Sequence, residues 1–178
     1  MDECVDLPVS APGLRALRCT MTSLLVGMKE YYCVARIENG HAEWWGNGKV
    51  WRSGPGCIQV KQPGDVHRDL SRDGAMTFTV IKLPAEDIAR VREEGRGVAF
   101  PQLDASDPRA APFHRLHDAV FAGADGLSLE VAVAEAVSAF AAIGDARVQH
   151  TRPVRRAVEY LRGQLHETIH LDDLAAQA

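Results

Sequence analysis

The chain has 178 residues, 46% hydrophobic and 25% charged, with a formal net charge of −4. That length allows one domain with a substantial core and a small appendage. The charge balance argues against nucleic-acid binding by the bulk of the chain, and no apolar run approaches the roughly 18 to 20 uninterrupted residues of a membrane span.

The first residues, Met1-Asp2-Glu3-Cys4, are acidic where a secretory leader is basic, so a cytoplasmic protein without membrane attachment is expected. Cys4, Cys19, Cys33 and Cys57 form no CxxC pair and are expected to be reduced, partly buried thiols. Residues 1–13, with Pro8, Pro12 and Gly13, show no periodicity. They suggest a flexible arm, either disordered or folded over a ligand or a neighbouring module. Residues 14–28 alternate loosely and are expected to give one or two strands leading into a barrel.

From Tyr31 to Leu83, short strand-like runs are separated by Asn39-Gly40, Gly46-Asn47-Gly48, Gly54-Pro55-Gly56, Pro63-Gly64-Asp65 and Asp73-Gly74. Turn signals at this interval predict an antiparallel sandwich or small barrel. In 31–37 the two-residue period places Tyr31, Cys33, Ala35 and Ile37 on one face and Tyr32, Val34 and Arg36 on the other. Arg36 could face the lumen, where it would suit a polar or anionic molecule, or could face solvent and pair with an acid. Runs 41–45 and 49–52 read as a hairpin, and Trp44, Trp45 and Trp51 either line a cavity or plug the barrel ends. Strands are also expected at 57–61 and 76–83.

After Pro84 the period changes to 3.6. Helices are expected at 85–94, around Phe113, Leu116, Val120 and Phe121 with Pro112 in the first turn, and at 129–143 with Ser128 as N-cap. The third is apolar nearly all round, which suggests neighbours on two sides. Leu129, Val133, Val137 and Phe140 are therefore candidates for a homodimer interface, with burial inside one domain as the alternative. Residues 144–152 read as a polar linker. Pro153 then starts an amphipathic helix in a basic stretch carrying Arg152, Arg155, Arg156 and Arg162 against Glu159, and a last helix opens at Leu171-Asp172-Asp173-Leu174.

Two stretches carry a family resemblance. Gly54-Pro55-Gly56-Cys57-Ile58 followed by Pro63-Gly64-Asp65-Val66-His67 resembles the strand and turn of a cupin-type sensor half. Val154-Arg155-Arg156-Ala157-Val158-Glu159-Tyr160-Leu161 with Ile169-His170-Leu171-Asp172-Asp173-Leu174-Ala175 resembles the opening of a helix-turn-helix. Together they resemble the AraC/XylS family of transcription regulators. The resemblance implies an α+β chain: a cupin-like antiparallel β-barrel (jelly roll) followed by helices, with a C-terminal helical fragment. It implies a ligand-sensing and dimerisation domain over 1–143, a linker over 144–152, and the start of a truncated helix-turn-helix domain over 153–178. A small effector would sit in the barrel against Tyr32, Arg36, Trp44, His67, Asp69 and Lys82. DNA would be bound only by the full-length homodimer.

Two rival readings share the fold. A metal-dependent cupin enzyme needs histidines and a carboxylate on one hairpin, whereas the sequence offers His41, Glu43 and the more distant His67; His114 and His117 are a pair on a predicted helix. A sensorless dimerisation module would have a solid barrel. The sequence has no nucleophile motif or phosphate-cradling loop, so no catalytic residue, metal or cofactor is assigned.

Overall fold

The computed structural model describes residues 2–91, 101–143, 156–157, 160–161 and 170–177. The chain divides into two compact units, Met1–Arg147 and Val148–Ala178. The first unit begins with nine strands, β1 (Glu3–Leu7), β2 (Arg15–Met21), β3 (Val26–Met28), β4 (Cys33–Asn39), β5 (Ala42–Gly46), β6 (Lys49–Ser53), β7 (Ile58–Lys61), β8 (Val66–Arg72) and β9 (Met76–Lys82). Helix α1 (Ala85–Val91), a two-residue strand β10 (Gln102–Leu103), a 3-10 turn (Pro108–Ala110), α2 (Ala111–Phe121) and α3 (Gly126–Ile143) follow. In the second unit α4 spans Leu171–Gln177.

The strands form a six-stranded sheet in the order β1-β2-β9-β4-β7-β10 and a four-stranded sheet in the order β3-β8-β5-β6, with antiparallel pairing throughout. The chain is thus α+β, a cupin-like antiparallel barrel with helices after it. The β5–β6 hairpin closes through Asn47 and Gly48, whose φ values of 52° and 77° are both positive. Two such residues in a two-residue loop give a turn whose twist matches the flanking strands.

The main core lies between the six-stranded sheet and the helices. Val34, Ile58, Val60 and Ile81, all 0% exposed, project from the sheet, and Ile88, Phe113, Leu116 and Phe140 from the helices close over them. Each such side chain contributes about 1.5–3 kcal/mol of transfer free energy. The opposite face of the same sheet turns into the barrel, where Ile37, Ala42, Cys57 and Met76 make a second, smaller cluster.

Several expectations change. The N-terminal arm is a strand: all five residues of β1 pair with β2, and Cys4 stands opposite Cys19, to which it is disulfide-bonded. Cys33 and Cys57 are free and buried, as expected of all four. Sequence spacing could not show this, because the pairing depends on which strand the arm adds to. Helix α3 starts earlier than Ser128; its first turn is capped by Asp125, whose carboxylate accepts from the Ser128 N–H and hydroxyl. Leu129, Val133, Val137 and Phe140 belong to the core of their own unit, because α3 turns its broader apolar side into the cluster it shares with α1, α2 and the sheet. Leu127 and Val131 are its exposed apolar residues, at 73% and 53%. The only charges on its 18 residues are Glu130 and Glu135, so α3 has the length and composition of a membrane span, although seven of its side chains are buried inside the unit. The helix expected from Pro153 and the linker 144–152 lie largely outside the described residues, as do the last residues of the expected 85–94 helix.

The disulfide closes a loop between residues 15 apart, and a cross-link of that length stabilises a chain by about 3 kcal/mol through loss of unfolded-state entropy. Reduction, or Cys4→Ser with Cys19→Ser, is expected to lower the urea midpoint accordingly while leaving the far-UV spectrum β-rich. An unchanged midpoint would show that β1 is held by its ladder alone.

Candidate functional site

The barrel interior is polar and cationic at one end. Trp44, on β5, is 2% exposed; its indole N–H is shared between Ser53 Oγ at 2.9 Å and Gln102 Oε1 at 3.2 Å. Ser53 donates to Gln102 Oε1 at 2.5 Å and accepts from Gln59 Nε2 at 2.9 Å, so residues of both sheets fix the ring. Gly46 is required beside it, since a Cβ there would lie 2.4 Å from the ring atom Cζ3 of Trp44.

Lys61 on β7 crosses the interior to place its ammonium 4.2 Å from the Trp44 ring centroid, a favourable cation–π contact. It is 6% exposed. Burial, reinforced by the charge of Lys29, pushes its ammonium down to about 8. His67, paired in register with Gly46, is 7% exposed and its Nδ1 has no hydrogen-bond partner among the described residues. Burial and the Lys61 and Lys29 charges push His67 down to about 4, so the ring is neutral at pH 7. Trp44, Lys61, Asp65 and His67 surround a void of about 10 Å3, room for no more than one water.

Above these buried groups the mouth is lined by partly exposed Lys29, Tyr31 and Lys82. The Lys82 and Lys29 ammonium groups lie 4.7 and 5.9 Å from the Tyr31 ring centroid. The larger open space is elsewhere: a half-open groove of about 550 Å3 lined by His41, Glu43, Arg52, Ser53, Ser71 and Asp73. Chemistry favours the mouth over the larger groove, because Arg52 is already paired with Glu43 at 2.7 Å, whereas among the described residues no carboxylate is ion-paired with the lysines at the mouth.

The expected ligand set divides between two faces. Trp44, His67, Asp69 and Lys82 point into the barrel, although Asp69 is engaged by Arg72 at 2.5 Å and by the Leu25 N–H at 3.0 Å. Arg36, on β4, and Tyr32, the residue before that strand begins, lie on the helix side. Tyr32 meets Phe140 edge to face at 5.6 Å, and Arg36 is bonded to Asp118 at 2.5 Å and stacked 5.3 Å from Phe121. The strand period separates them from the lumen, because inward places on β4 go to Cys33, Ala35 and Ile37. Lys61, Lys29 and Tyr31 were not singled out in the sequence. Alternation in 57–61 puts Cys57, Gln59 and Lys61 on one face, but only sheet packing says which face is inside.

His41 begins the turn at the far end of β5 from His67. Among the described residues, no three His, Cys, Asp or Glu side chains are grouped to hold a metal ion. His117 on α2 is fully buried, neither ring nitrogen has a partner among the described residues, and burial with the Arg36 charge pushes it well below its usual value.

Two antiparallel sheets around a polar interior define a cupin-like barrel. More specifically, the sequence model of the AraC-like ligand binding domain matches residues 27–178, and the chain belongs to that family. No curated protein matches the sequence. Solved structures similar to it include the ethanolamine utilization protein Q of Salmonella typhimurium LT2, at 13% identity over 47% of this chain and 70% of that one, TM-score 0.40. The EutQ protein of Clostridium difficile is 16% identical over 48% of this chain and 64% of that one, TM-score 0.41. A cupin 2 conserved barrel domain protein of Leptotrichia buccalis is 13% identical over 46% of this chain and 40% of that one, TM-score 0.40.

His67 and His117 titrate in the unfolded chain near 6.5 and below that when folded. Between those values the unfolded state binds more protons, so stability is lost as pH falls through that window. Urea midpoints are expected to drop between pH 7 and 4.5, and His67→Gln is expected to flatten part of the slope. A midpoint that rises on acidification would contradict neutral buried rings.

Proposed function

We propose that this chain is the ligand-sensing and dimerisation portion of an AraC-family DNA-binding transcription regulator, acting in the cytoplasm without catalysing a reaction. In this reading residues 1–143 are the sensor, 144–152 the linker ending in Arg152, and 153–178 the start of a helix-turn-helix domain to which Arg155, Arg156 and Arg162 bring the positive charge that DNA binding needs. The carrying observation is the inward pair Lys61 and His67 beneath Trp44, a buried ammonium with no ion-paired carboxylate and an imidazole whose Nδ1 has no partner among the described residues, in a domain of a ligand-binding family.

The effector enters at the Lys29, Tyr31 and Lys82 mouth and reaches Trp44, Lys61 and His67. Tyr32 and Arg36 then serve as the coupling side of β4 rather than as contacts, since the same strand that lines the barrel holds α2 through Asp118 and α3 through Phe140. A ligand that favours one placement of β4 thereby biases the helices. Dimerisation uses the exposed α3 side, with Leu127 and Val131 as contacts, and carries the bias to two DNA-binding segments.

The small void beside Lys61 supports a second reading, a solid barrel that only spaces two DNA-binding segments. Native mass spectrometry of the protein isolated from its own cells separates the two. A bound small molecule is expected in the wild type, retained in Arg36→Ala and lost in Trp44→Ala. An empty wild type would favour the solid barrel, and loss in Arg36→Ala would return that residue to the pocket.

A further inference from the structure

The strands across the barrel mouth are in register so that one cross-strand row runs Arg15, Lys82, Cys33, Lys61 over β2, β9, β4 and β7, exposed at Arg15 and buried at Lys61. Three of the four are cations, and Lys29 adds a fourth, close enough to Lys61 to lower its proton affinity. Neighbouring cations in one cross-strand row repel one another, and a buried ammonium without a counter-charge is costly. Acids are near but committed: Asp6 is paired with Arg15 at 3.4 Å, Asp69 with Arg72, and Asp65 caps its own turn by accepting from the Gln62 N–H at 2.9 Å. Among the described residues no carboxylate is ion-paired with Lys29, Lys61 or Lys82.

We propose, building on the sensor reading above, that the effector is a small organic anion, a carboxylate or phosphate ester, whose charged oxygens are held by Lys29, Lys61 and Lys82. Charge neutralisation is what the row lacks and what such a molecule supplies; an ammonium bonded to an anionic oxygen makes one of the stronger polar contacts. The rings of Tyr31 and Trp44, which already stack on these ammonium groups, give the uncharged part of the ligand an apolar wall. Lys61 is the deepest of the three cations, so it decides whether the anion is drawn inside or rests at the rim.

Binding also gains a pH signature. Lys61 faces Lys29, Cys33, Asp65, Asp69 and His67, and it sheds its proton near pH 8 when no anion is present. An anion favours the protonated form, so its affinity weakens as pH rises from 7 to 9 and binding takes up a proton in that range.

The test is calorimetry at constant ionic strength with phenylacetate and phenyl phosphate against the uncharged phenylacetamide and phenol, together with native mass spectrometry of protein from its own cells. At least one acid is expected to bind about tenfold or more tightly than its neutral counterpart, the difference expected of a charge-assisted contact. Which acid wins separates carboxylate from phosphate. Lys61→Met is expected to lose that preference and its pH dependence; Lys82→Met, at a partly exposed place, is expected to weaken it by a smaller factor. Neutral compounds bound as tightly as acids, acids bound equally by both variants, or a neutral molecule carried by the native protein would overturn the anion inference and leave the sensor reading standing. No binding of any probe together with an empty native protein would overturn both.

Discussion

The constraint on which the molecule depends is the two-sided burial of β4. A central strand of the six-stranded sheet must satisfy one environment with odd residues and another with even ones. Val34 on one side joins a core closed by helices, and Cys33, Ala35 and Ile37 on the other face the barrel. A slip of one residue would exchange the two sets, so the helical core and the barrel interior are fixed by one register and cannot be altered independently. Neighbouring β9 and β7 obey the same rule, sending Ile81, Ile58 and Val60 to the helices while Lys82 and Lys61 go to the mouth.

This explains why a polar interior is tolerated. The larger apolar core lies outside the barrel, against α2 and α3, and supplies the hydrophobic stabilisation without needing the lumen. The interior can then hold groups that would weaken an ordinary core: the Trp44, Ser53, Gln59 and Gln102 network, in which Gln59 and Gln102 of one sheet bond Ser53 and Trp44 of the other, and Lys61 with its incomplete compensation. Polar satisfaction is tight around Trp44 and loose around Lys61 and His67, and that contrast within a few residues marks where an incoming group gains most.

The helix side of β4 carries polar contacts of its own. Arg36 reaches Asp118 and Phe121 on α2, and His117 sits buried beside it with no hydrogen-bond partner among the described residues. These contacts tie the strand lining the barrel to the helices stacked on it through side chains one residue removed from the lumen. On α3 the division is similarly sharp: Leu129, Val133, Val137 and Phe140 complete the core, while Leu127 and Val131 remain outward.

The sequence by itself determined the β region between 31 and 83, the Asn47-Gly48 hairpin and the change to helical period after Pro84, because turn chemistry and a two-residue or 3.6-residue period are local properties. It separated Tyr32 and Arg36 from Cys33 and Ala35 correctly as faces, yet could not say which face was the lumen. Only the tertiary structure decided that, along with the addition of β1 through Cys4 and Cys19, the capping of α3 by Asp125, and the meeting of Lys29, Lys61 and Lys82 at one mouth. The reason is physical: alternation fixes that two faces differ, whereas inside and outside are set by which surface another layer covers, and that layer comes from residues more than thirty positions away.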